Sequence, residues 1–159
     1  MTHLHDHIYV KCPYTRAKAF LREALDRLAE NHEQKQITLK VPFAEGMAQG
    51  ALRKDVLATY SQGIDPMHFD HPYRIHWKAE GGAFPVFDGE LTVRADEDYT
   101  TSILGLTGDY EPPMGIAGAV FDAIAGSRIA KATAQELLKS IAMSMEQRHA
   151  VEEAAKLQR

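Results

Sequence analysis

Cysteine is almost absent from this chain: Cys12 is the one thiol, so no intrachain disulfide can form. That suits a reducing compartment, and a cytoplasmic location is the expectation. No run approaches the roughly 18 apolar residues that a membrane-spanning helix needs, and the His-rich start at His3, His5 and His7 does not resemble a basic-then-apolar leader. Basic residues are not in excess. A net charge of −4 argues against a general nucleic-acid binder, which needs a positive surface. There is no glycine-rich phosphate loop, no internal repeat and no low-complexity linker. No nucleophile has a base at a readable spacing. No catalytic residue, metal ligand or cofactor is therefore assigned.

What is present is an ordinary globular composition. The 159 residues suffice for one domain over 1–159 with a core that needs no metal or disulfide. Apolar residues alternate with polar ones in segment after segment. Leu4, Ile8, Val10 and Cys12 mark one face of a first strand, which Pro13 ends. Ile37, Leu39, Val41 and Phe43 mark a second, and Val56, Ala58 and Tyr60 a third. Tyr73, Ile75, Trp77 and Ala79 mark a fourth, Phe87, Leu91, Val93 and Ala95 a fifth, and Leu104, Leu106, Gly108 and Tyr110 a sixth. Such strict alternation means an antiparallel sheet with one buried face.

Two stretches have helical period instead. Ala17, Phe20, Leu21, Ala24, Leu25 and Leu28 predict a helix that starts with Thr15 as N-cap and stops near Asn31. After Pro112-Pro113, an amphipathic run to about Lys156 predicts a long helix. It buries Ile116, Val120, Ile124, Ala134, Leu137, Leu138, Ile141 and Met145, and its end beyond Arg148 overhangs or frays. Gly118 and Gly126 each cost a helix about 1 kcal/mol relative to alanine, so closeness to the sheet or space for a ligand is the expected reason for them. The fold class is α+β: a curved antiparallel sheet of six to seven strands wrapped around a long C-terminal helix.

The run Phe84-Pro85-Val86-Phe87-Asp88-Gly89-Glu90-Leu91, then Gly108-Asp109-Tyr110-Glu111-Pro112-Pro113-Met114-Gly115 leading to Arg128-Ile129-Ala130, resembles the SRPBCC superfamily. This is the helix-grip group of START lipid-transfer domains, polyketide cyclases and the birch pollen allergen. The likeness covers His7 to about Ile141. It implies a deep apolar cavity under the C-terminal helix. Its pattern usually has seven strands and two short helices after the first strand, so one strand or helix break is expected near Ala48–Leu52 or Asn31. The superfamily has no universal catalytic motif, and the segments speak for fold rather than activity.

Candidate ligand contacts follow from that architecture. On the sheet they are Phe43, Tyr60, Trp77, Phe87, Leu91, Leu104, Leu106 and Tyr110. On the helix they are Gly118, Val120 and Ile124. Tyr60, Trp77 and Tyr110 each carry a donor that needs a partner when buried, which suits them to orient a ligand. Loops at Gly46–Gly50 and Gly63–Pro72 are candidate gates, the second carrying Asp65, His68, Asp70 and His71. His3, His5 and His7 share a strand face at a spacing of about 6.5 Å that can chelate zinc or copper, yet they lie opposite the apolar stripe and read as a solvated polar face. His76 reads as an outer-face histidine and Cys12 as an inert buried thiol.

The functional expectation is binding or carriage of a small hydrophobic ligand (lipid-, polyketide- or quinone-like), without nucleic acid and without stable membrane insertion. A cyclase or aromatase using the same cavity is the alternative. The third class is a ligand-free interaction module that uses the overhanging C-terminal segment to form a homodimer or to dock on a partner.

Overall fold

The computed structural model describes residues 2–30, 33, 35–42, 53–62, 72–79, 85–111 and 123–158. Within them the order is β1 (Thr2–Val10), α1 (Tyr14–Leu28), β2 (Gln36–Pro42), β3 (Arg53–Gln62), β4 (Tyr73–Ala79), β5 (Val86–Ala95), β6 (Ser102–Glu111) and α2 (Ala123–Leu157). The strands form one antiparallel sheet in the order β1-β6-β5-β4-β3-β2. Consecutive strands from β2 to β6 are neighbours, and β1 returns to pair with β6. The six strands found among the described residues are one fewer than the resemblance implies, and the positions expected to hide another, Ala48–Leu52 and Asn31, lie outside them.

The sheet is curled into a half-barrel around α2. Its two edge strands, β1 and β2, stand at opposite ends of the strand order, yet both pack against the same helix together with β6 and α1. This is the helix-grip arrangement. The grip is apolar: Ile129, Ala130, Thr133, Ala134, Leu137, Leu138, Ile141, Ala142 and Met145 recur every three or four residues and are all buried. Thr133 answers its buried hydroxyl internally by donating to the Ile129 carbonyl at 2.8 Å. With 35 residues, α2 runs about 52 Å. It stays helical to Leu157, and from Glu153 onward its side chains are exposed.

The first helix departs from expectation at both ends. Its N-cap is Pro13, in extended conformation and without a side-chain cap, so the helix begins one residue before Thr15. Proline's fixed φ suits the entry to a helix. The Tyr14 N–H, which has no partner within the helix, donates to the Tyr99 carbonyl at the β5–β6 turn, 3.0 Å away. That tertiary bond takes over the role Thr15 was expected to fill. The helix ends at Leu28 rather than near Asn31, because Ala29 turns extended and then Glu30 N–H donates to the Gln36 carbonyl. Between these ends α1 buries Ala17, Phe20, Leu21, Ala24 and Leu25. Polar bonds fix it along α2: Arg148 to Glu23 at 2.9 Å, Arg27 to Ser144 at 2.8 Å, and Arg16 to Glu152 at 3.3 Å.

No helix among the described residues is long and apolar enough to cross a membrane.

Candidate functional site

The inner face of the sheet is built in cross-strand rows, because directly opposed residues on antiparallel strands share a face. One row runs Ala58–Trp77–Phe87–Tyr110 over β3, β4, β5 and β6. Trp77 and Phe87 are fully buried and stack, with ring centroids 4.1 Å apart and planes 16° from parallel. Ala58 beside them is small enough to leave room for the indole.

The neighbouring row runs Tyr60–Ile75–Gly89–Gly108–Leu4. At its centre two glycines face each other and present bare backbone to the interior. The tip of the Phe87 ring covers this backbone: a Cβ built on Gly108 would lie 2.7 Å from Phe87 Cζ. A Cβ on Gly89 would also meet the Thr107 carbonyl, and one on Gly108 the Asp88 carbonyl. The glycines thus let an aromatic ring lie against the main chain of the two central strands.

The Trp77 indole nitrogen is buried and has no hydrogen-bond partner among the described residues. An unmade hydrogen bond of this kind costs about 1–3 kcal/mol. The Tyr60 hydroxyl, by contrast, is already engaged, donating to Asp26 Oδ1 on α1 at 2.9 Å. Burial holds the Tyr60 phenol well above its ordinary pKa, and Asp26 adds to the shift by hydrogen bond and charge. Burial also raises Tyr73, whose ring meets that of Tyr60 edge-on at 6.3 Å. The end of the interior facing α1 is therefore a settled polar contact, and the Trp77 end holds a donor that no described residue answers.

The structure brings Trp77, Phe87, Leu91, Leu104, Leu106 and Tyr110 onto the inner face, all buried, with Tyr60 at the α1 side. Phe43, Gly118 and Val120 lie outside the described residues, as do the Gly46–Gly50 loop and the loop residues Asp65, His68, Asp70 and His71. Ile124 and Gly126 lie in α2. Sequence reasoning missed Asp26 as the partner of Tyr60, and also the opposition of Gly89 to Gly108. The first pair is 34 positions apart with no local signature. The second was signalled by glycines at inward positions of two strands.

The outer face carries the histidines. A row of side chains runs Thr59–His76–Asp88–Asp109–His3 across five strands. His76 Nδ1 lies 2.7 Å from Asp88 Oδ1, and His3 Nδ1 lies 3.2 Å from Asp109 Oδ1. His5 Nδ1 lies 2.8 Å from Thr107 Oγ1. A depression of about 450 Å³ opens here between β3, β4 and β5, with Thr59, Ser61, Arg74, His76, Asp88 and Gly89 among its walls. Among the described residues no three His, Cys, Asp or Glu side chains converge to hold a metal ion. Cys12 is buried, and its thiol is pushed up mainly by that burial.

No family model matches this sequence, and no curated protein does either. Solved structures do match. A conserved protein from Geobacillus kaustophilus aligns over 93% of this chain and 97% of its own, with 16% identity and a TM-score of 0.56. A protein from Thermus thermophilus aligns over 91% and 97%, with 16% identity and a TM-score of 0.50. Ara h 8.0201 aligns over 91% and 97%, with 16% identity and a TM-score of 0.46. At such identities the likeness to the two bacterial proteins is one of fold, and it spans nearly the whole of each chain.

Proposed function

We propose that this chain, as one domain of the SRPBCC type over residues 1–159, binds a small and largely apolar molecule between the inner face of its sheet and α2. The observation that carries this reading is the Trp77 indole N–H, fully buried and without a partner among the described residues. A folded chain gains from an acceptor at that position, and the described surroundings of the indole offer aromatic and aliphatic carbon. The matching ligand is apolar over most of its surface and has one accepting oxygen, as in a quinone, a polyketide or a lipid carbonyl. Trp77 and Phe87 would supply a flat wall, Leu91, Leu104 and Leu106 the aliphatic lining, and Tyr110 a second polar contact. Phe43, Gly118, Val120 and Ile124 complete the proposed lining on the strength of their sequence pattern.

Native mass spectrometry of protein purified from its own cells, gentle against denaturing spray, is the direct test. A hydrophobic molecule released only on denaturation supports the proposal. Isothermal titration with a soluble quinone or a medium-chain fatty acid gives the affinity of each variant, and in the parent chain the emission of its single tryptophan, Trp77, follows the same binding. Trp77→Phe keeps an aromatic side chain but removes the donor, and loss of one hydrogen bond alone should weaken binding by roughly 2- to 13-fold. Leu106→Trp should fill the lining and abolish binding. Equal affinity in both variants and in the parent chain would overturn the placement.

A further inference from the structure

We infer that His5 and His7 form a two-histidine site for a borderline transition-metal ion, zinc or copper(II), on the exposed face of β1. The motif is His5-Asp6-His7, and alternate residues of a strand stand on one side of it. The imidazole rings are 6.2 Å apart between centroids and 40° from parallel. Two imidazoles bound to one ion at about 2.0–2.1 Å hold their centres about 5 Å apart, so a side-chain rotation of about 1 Å closes the pair.

Three features of the neighbouring strand favour this. The register sets His5 opposite Thr107, and the Nδ1–Oγ1 bond at 2.8 Å fixes the ring and leaves Nε2 as the free nitrogen. This is the outer support that metal-binding histidines ordinarily have. The same register sets His7 opposite Gly105, which has no side chain to crowd or engage its ring. Within the described residues the His7 ring makes ring contacts, with His5 and Tyr9, and no hydrogen bond. Both histidines are exposed, so an ion reaches them from solvent.

The donor set selects the metal. Neutral imidazole suits zinc and copper and not magnesium or calcium, which need oxygen ligands. Since no third His, Cys, Asp or Glu converges here among the described residues, the remaining positions belong to water or to an exchangeable ligand. Such an ion would be held loosely and would keep open coordination positions.

Isothermal titration of the tag-free chain with zinc chloride and with copper(II) chloride tests the site, with magnesium chloride as control. The expected result is one zinc or copper ion per chain and no uptake of magnesium. His5→Ala and His7→Ala should each weaken binding at least tenfold. Thr107→Val should weaken it by about tenfold, the low end for loss of such a support. His76→Ala, on the same face but paired with Asp88, should bind as the parent does. These side chains are exposed, and matching thermal midpoints establish that the variants fold. Uptake with unchanged affinity in both His5→Ala and His7→Ala, or no zinc or copper uptake by the parent at millimolar metal, would overturn the inference.

Discussion

Gly108→Ala adds one methyl group to a site whose nearest obstacles are main-chain atoms. The new Cβ would meet the Asp88 carbonyl and the Gly89 Cα on the adjacent strand, and the tip of the Phe87 ring. A flexible side chain could swing away, but the backbone of β5 is pinned by pairing on both sides, to β4 and to β6. Overpacking ordinarily costs about 1–3 kcal/mol, and a backbone obstacle in the middle of a sheet places this case at the top of that range, about 3 kcal/mol. With a urea dependence of about 2 kcal/mol per molar, the unfolding midpoint should fall by about 1.5 M. The thermal midpoint should fall by roughly 6–12 °C. Gly105→Ala is the internal control. It lies on the same strand but the opposite face, where the nearest atom to a new Cβ is Thr92 Oγ1 at 3.4 Å. Relief of glycine's entropic cost should make that variant more stable by about 0.5 kcal/mol. Equilibrium unfolding of the two variants beside the parent decides the matter. If Gly108→Ala proves as harmless as Gly105→Ala, the ring-on-backbone packing of β5 and β6 is wrong.

Tyr60 should make stability fall at alkaline pH. The folded state raises the phenol's pKa, through burial first and Asp26 second, so it holds the proton more tightly than the unfolded chain. The contribution is whole below the free-phenol value of about 10 and is lost as pH rises above it. The stability gap between the parent chain and Tyr60→Phe should therefore narrow between about pH 9.5 and 11, and a constant gap in urea titrations across that window would refute the assignment. Cys12 is fully buried with its thiol pKa raised, so the native chain should resist a thiol-specific reagent at about pH 8 while the denatured chain reacts fully. Rapid stoichiometric labelling of native protein would contradict its position.

The strands were legible because alternation reports which face a residue takes. Ile37, Leu39, Val41, Ile75 and Trp77 are buried as their spacing requires, and Leu137, Leu138, Ile141 and Met145 of the long helix likewise. Register was not legible. A period of two says that Gly89 and Gly108 face inward but not that they face each other, since that depends on the turn between β5 and β6. In that turn Tyr99 takes a φ of 60°, unusual for a residue other than glycine. The start of α1 was misplaced because the donor of Tyr14 is satisfied by Tyr99, a partner supplied only by the folded chain. For the candidate site, composition identified the aromatic set but not its division of labour. Tyr60 and Trp77 look alike as buried donors in a strand, and only the arrival of Asp26 from α1 distinguishes an answered donor from an open one.

The return of β1 to β6 has a consequence for how the chain is made. Thr2 pairs with Tyr110, and Val10 with Ser102. At a translation rate of about 5–20 residues per second, the roughly 100 residues between these partners take about 5–20 s to synthesise. Throughout that interval β1 has backbone groups without a strand to pair with, while β2 to β5 can each join a neighbour soon after it emerges. Among the described strands β1 waits longest for its partner, and its alternating histidines keep the waiting segment polar along one side.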